Sequence, residues 1–194
     1  MAGLGERLVG AATLNSAIYE DVEADKGATV WAIVIVIVSS VSVGIAQAID
    51  WFWGGGIGSA IAALIGYPIL AIVGWLMWVV ITWIVGTKIM PEPETSSNLG
   101  ELVRTVGFAQ VPGIFRIFSA IPLLGFVITL VVWLWMLAAF VVAVRQALDF
   151  KSTGRAIAVC AIGWVINGLV VEWGARSILA IIVAMIGGAT TGGG

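Results

Sequence analysis

From Gly27 to Ile49 no residue carries a charge. Coiled as a helix, that run extends about 34 Å at 1.5 Å per residue, enough to cross the ~30 Å hydrocarbon core of a bilayer. The stretches 57–86, 123–144 and 156–171 are also free of charged side chains. The chain is 61% hydrophobic and only 10% charged, with a mean hydropathy of +1.12, whereas soluble domains carry about 25% charged residues. A water-soluble fold of 194 residues has too little core to hide that much apolar surface. Lipid must serve as the solvent for most of the molecule.

The expected fold is therefore all-α, a polytopic bundle of about five transmembrane spans. They lie near 27–49, 57–86, 103–120, 123–145 and 155–186, making one transmembrane domain over 27–187. Residues 1–26 form an N-terminal segment and 188–194 a Gly-rich flexible tail. The N-terminal segment contains five carboxylates and no continuous apolar core, so it is not a signal peptide. Leu4, Leu8, Asn15 and Ile18 recur at helical spacing, which fits either an amphipathic helix on the membrane surface or a loosely ordered tail.

Asp25 is placed to cap the first span and Ser152 or Thr153 the last. The Gly-rich loop 50–58 is short, so the second span returns antiparallel to the first. Pro68 removes one helical hydrogen bond and predicts a kink or an early break. The third span, 103–120, holds Gln110, Pro112 and Arg116 and reads as short, tilted or broken, with a re-entrant segment as the alternative. The last run is too long for one untilted span. Either it projects beyond the membrane, or residues 177–187 form a separate piece.

Five spans gather Arg7, Lys26, Lys88, Arg104, Arg145, Lys151 and Arg155 on one side and leave only Arg116 and Arg176 opposite. The excess of basic residues predicts a cytoplasmic N-terminus. With a net charge of −2, the chain presents no basic field to attract nucleic acid. The absence of histidine excludes a Ser-His-Asp triad, imidazole-ligated metal or haem, and histidine proton relays. Cys160, alone in an apolar run, reads as a small buried hydrophobe. No nucleophile stands with a base, so neither a catalytic site nor a metal site is expected.

Ser40, Gly44 and Ala48 fall four apart and form a stripe of small residues where another helix can approach closely. Gln110 and Asn167, polar inside apolar helices, fit hydrogen bonding between helices, with a permeation path as the alternative. Arg116 is long enough to snorkel to a headgroup. Glu172 and Arg176, one helical turn apart, form a candidate ion pair. It either ends the last span beside Trp173 or marks a coupling site within lipid. Glu20, Asp21, Glu23 and Asp25 read as a solvated acidic face. Trp31, Trp51, Trp53, Trp83 and Trp173 fit interfacial anchors, while Trp75, Trp78, Trp133, Trp135 and Trp164 fall within spans. The latter suit helix packing or contacts to lipid, quinone or pigment, and no bound cofactor is required.

The segments VGFAQVPGIFRIFSAIPLLG (106–125) and VRQALDFKSTGRAI (144–157) resemble the Yip1 family of five-span membrane proteins, particularly its short prokaryotic members. Gly107, Phe108, Ala109 and Pro112 match the family's Gly–aromatic–small–x–x–Pro motif; Arg145, Ala147 and Leu148 match its Arg-x-Ala-Leu linker. Tyr19 matches one position of the N-terminal signature of eukaryotic relatives, whose long cytosolic region this chain lacks. The resemblance implies a membrane-organising role in a prokaryotic inner or plasma membrane; eukaryotic members contact small GTPases. Three functions follow as expectations. The leading one is a non-enzymatic scaffold or accessory subunit packed against other integral membrane proteins and lipid. The alternatives are an independent trafficking adaptor and a small transporter or channel.

Overall fold

The structure, a computed structural model, describes residues 2–170 and Gly174. What the sequence suggests for Glu172, Trp173, Arg176 and the tail lies outside the described residues. The described chain is helical throughout, with no strand. Two short helices, α1 (Leu4–Ala12) and α2 (Ser16–Ala24), precede α3 (Ala28–Gly54) and α4 (Gly56–Ile89). Then come α5 (Leu99–Phe108), a 3-10 helix (Val111–Ala120), α6 (Gly125–Ala147) and α7 (Thr153–Val170). Four of these, α3, α4, α6 and α7, are long and apolar enough to cross a membrane.

The turn between α3 and α4 is tighter than the expected loop over 50–58. Helix persists to Gly54, and the reversal rests on Gly56, whose φ of 76° suits a residue without a Cβ. The two helices then run side by side: Gly44 and Pro68, equidistant in sequence from Gly56, meet across the hairpin. A Cβ on Gly44 would lie 2.6 Å from the Pro68 ring and 3.1 Å from the Leu64 carbonyl oxygen. That carbonyl is the one Pro68 deprives of its helical donor. The glycine backbone therefore lies over an oxygen that would otherwise face hydrocarbon. With its orphaned carbonyl covered, α4 passes Pro68 without the predicted break and ends in a wider π-type turn over Val85–Ile89.

Residues 103–120 are not one helix. α5 opens with reciprocal capping bonds: Glu101 N–H donates to Asn98 Oδ1 at 3.0 Å, and Asn98 N–H donates to Glu101 Oε2 at 2.9 Å. It stops at Phe108, and Pro112, lacking a donor, sits in the first turn of the 3-10 helix. Winding at about 2.0 Å per residue, ten residues reach about 20 Å rather than 15 Å. Together α5 and the 3-10 helix carry the chain from the charged end of the bundle to the end where Ser119 and Gly125 line a cleft with Gln47 and Asp50.

The N-terminal segment is helical rather than a loose tail, and it packs against the bundle. α1 and α2 form a hairpin turned at Leu14 (φ 62°), with Tyr19 and Val22 fully buried. Arg7 holds it closed, donating to Asp21 at 2.7 Å and Asp25 at 2.8 Å, while Tyr19 Oη donates to Ala11 O at 3.1 Å. The bundle supplies the terminal caps. Trp135 Nε1 donates to Ala12 O at 2.7 Å, and Arg104 Nε to Glu23 O at 2.9 Å and Val22 O at 3.2 Å, so each short helix has a donor on its last carbonyls. The hairpin tip thus meets α6 in mid-helix. The same end of the bundle carries the 90–98 loop, tied to the start of α7 and the turn before it by Arg155–Glu92 (3.4 Å) and Lys151–Glu94 (2.5 Å); the second pair is exposed and adds little stability.

Two expectations follow. Gly44→Leu has no room against Pro68 and should cost about 1–3 kcal/mol, read as a lower thermal unfolding midpoint in detergent micelles. Gly66→Ala, which meets nothing within 4 Å, should leave the midpoint unlowered and raise it slightly through its higher helix propensity. The second concerns Glu23. Burial, then the charges of Asp149 and Glu101, raise its carboxyl to about 7, against the opposing pull of Arg104. The folded state therefore holds that proton more tightly than the unfolded chain, and its contribution to stability is lost as pH rises from about 4.5 through 7. Glu23→Gln should raise stability at pH 8 by about 1 kcal/mol, after discounting for the carboxyl's partial exposure, and change it little at pH 5.

Candidate functional site

Small residues bring these helices together, and a change in side-chain size leaves a space between them. Ser39, Ser40 and Val43 on α3 face Ala71 and Gly74 on α4, where no large side chain fills the interval. The result is a chamber of about 220 Å³, closed by Trp75 and Trp78 of α4, Gln110, Arg116 of the 3-10 helix, Met136 and Phe140 of α6, and Trp164 and Asn167 of α7. The large walls are braced by rings: Trp78 stacks on Phe140 at 4.8 Å between centroids and Trp164 on Trp133 at 5.3 Å. Gly163 allows α7 to approach α4, since a Cβ there would lie 2.7 Å from Thr82 Oγ1 and 3.3 Å from Trp78 Nε1.

The lining is polar in a manner the surrounding helices are not. Ser39 and Ser40 are 3% and 5% exposed, and Ser39 Oγ donates to Gln110 Oε1 at 3.5 Å, a long bond. Trp75 Nε1, Trp78 Nε1 and Asn167 Oδ1 are buried and have no partner among the described residues. Arg116, the chamber's one charged side chain, makes no hydrogen bond or ion pair among the described residues. An unsatisfied buried polar group costs roughly 1–3 kcal/mol, so several of them converging on one space mark a place for solvent or a ligand. Among the described residues no cluster of His, Cys, Asp or Glu is grouped to hold a metal ion. What the chamber's groups can do chemically is donate and accept hydrogen bonds around a cation.

Gln110 and Asn167, proposed from sequence as separate helix-packing residues, line this one chamber, as does Ser40. Gly44 instead meets Pro68, and Ala48 continues the stripe half-buried. Arg116 faces the chamber rather than snorkelling along the outer surface. Gly107 packs on the α3 backbone: a Cβ on it would lie 2.6 Å from Ala32 Cβ and 3.1 Å from Ala32 Cα. Phe108 is fully buried and Pro112 nearly so, whereas Arg145 Nε donates to Phe150 O at 3.2 Å and holds the α6–α7 turn. The motif residues are thus architectural and stand apart from the chamber. Sequence reading did not single out Ser39, nor did it set Trp75 and Trp78 apart from the other mid-span tryptophans; buried hydroxyls and indoles at one depth on facing helices were the available signal.

A family model described as the Yip1 domain matches residues 15–175. No curated protein and no solved structure matches the chain. Members of that family are generally non-enzymatic membrane proteins. The match starts within the α1–α2 hairpin and runs through all four membrane-length helices, taking in Gly107 against Ala32 and Arg145 at the last turn. The chain belongs to the Yip1 family of multi-span membrane proteins.

Proposed function

We propose that this protein is a non-enzymatic membrane scaffold or accessory subunit that packs its outer helix faces against other integral membrane proteins. The observation that carries this reading is an open groove on the outside of α4. Trp51, Ser59, Ala62, Ala63, Gly66, Tyr67 and Leu70 border about 510 Å³ there. Gly44 and Gly107 are each filled by a neighbouring helix, yet Gly66, of the same small type and within the same apolar hairpin, has nothing within 4 Å. Exposed small residues at membrane depth let a second backbone approach, which is how helices associate where the hydrophobic effect between them vanishes. In lipid the bundle crosses five times, with α5 and the 3-10 helix as the third passage. The basic residues gathered at the N-terminal end support a cytoplasmic N-terminus in a prokaryotic inner membrane.

A second reading, a small transporter, is favoured by one observation: the chamber joins Gln110 to Asn167. Solute flux into vesicles containing the purified chain would distinguish it.

Gentle detergent extraction from the native membrane followed by mass spectrometry should recover the chain with at least one other integral membrane protein. Gly66→Leu puts a side chain into the groove, where a Cβ meets nothing of this chain, so it should release that partner without lowering the unfolding midpoint. Recovery of the wild-type polypeptide alone would overturn the scaffold reading.

A further inference from the structure

We infer that the chamber between α3, α4, α6 and α7 is a binding site for a phosphate group, with Arg116 as its charged anchor. Four observations converge. Among the described residues Arg116 is the only ionisable side chain in the lining and is unpaired, so no described carboxylate offsets the positive charge it brings to the chamber. A guanidinium presents a fork of donors matched to the oxygens of an oxyanion. Trp75 Nε1, in a residue 7% exposed, adds an N–H group that can only donate and that has no acceptor among the described residues. Ser40, 5% exposed, adds a hydroxyl with no hydrogen-bond partner among the described residues.

The remaining group narrows the chemistry. Asn167 Oδ1 is an acceptor without a donor among the described residues. A hydrogen phosphate or phosphate monoester offers acceptor oxygens to the guanidinium, indole and hydroxyl, and a P–OH that donates to Asn167 Oδ1. A halide offers no donor, and a carboxylate has only two oxygens. At about 220 Å³ the chamber falls below the roughly 300 Å³ at which pockets for drug-sized ligands begin, and suits one such group with a few waters. The phosphate can be a free anion or the headgroup of a phosphatidic-acid-like lipid. The inference stands whether or not the chain transports anything, and it is independent of the α4 groove.

The test is the thermal unfolding midpoint of the purified full chain in detergent, with two probes. Inorganic phosphate is titrated against chloride at constant ionic strength. Short-chain phosphatidic acid is titrated against the diacylglycerol of the same chains. A saturable rise with inorganic phosphate identifies a free anion; a rise with phosphatidic acid alone identifies a lipid headgroup. Either should weaken at least tenfold in apparent affinity in Arg116→Gln. Trp75→Phe, which keeps an aromatic ring in the wall and removes the N–H, should weaken it severalfold and serves as the deciding variant if Arg116→Gln fails to fold. No rise with either probe, or a wild-type response in the variant that decides, overturns the site.

Discussion

Helices in hydrocarbon gain nothing by hiding apolar side chains from one another, since lipid tails are equally apolar. What holds such a bundle is contact close enough for dispersion and weak backbone bonding to act. In this protein those contacts rest on missing side chains. Gly44 lets α3 lie on the Pro68 turn of α4, and Gly107 lets α5 lie on the α3 backbone at Ala32. The first also covers the Leu64 carbonyl that Pro68 leaves without a donor, so one glycine accounts for both a helix contact and an uninterrupted α4. The N-terminal hairpin adds a second mode of attachment. It is held by the bundle's Trp135 and Arg104 capping its last carbonyls, polar bonds that hydrophobic burial of Tyr19 and Val22 reinforces.

Much of this was legible in the chain. Uncharged runs of membrane length locate α3, α4, α6 and α7 because that signal depends only on composition and length. Gly44, one member of the small-residue stripe, lies against Pro68, while Ser40 of the same stripe lines the chamber. The N-terminal hairpin was not legible. Its amphipathic spacing is that of any surface helix, and what docks it is an arginine and a tryptophan more than eighty residues away. Nor was the path of Pro68, because the consequence of a proline in a helix depends on what meets the freed carbonyl. The 3-10 winding of Val111–Ala120 has no evident cause in its residues.

The chamber was visible only as isolated members. Gln110, Asn167 and Arg116 are conspicuous in apolar segments, but whether they face one another depends on helix rotation, which near-uniform apolar sequence does not specify. Their convergence gives the interior a polar character while the exterior remains apolar, with large side chains such as Val30, Leu70 and Leu134 exposed along α3, α4 and α6. The two surfaces fit different partners: the inner one polar and small, the outer one lipid or helix.

The account stands on the exterior helix faces lying in lipid. Nitroxide labels at Ile37, Leu70 and Leu134, placed singly on a Cys160→Ala background in lipid nanodiscs, report this through collisions with oxygen and with a water-soluble nickel chelate. All three positions are exposed in the isolated chain. Immersion in hydrocarbon predicts oxygen collisions well in excess of nickel at each, with the reverse at Glu94 in the exposed loop. Nickel access at Ile37, Leu70 and Leu134 equal to that at Glu94 would contradict it.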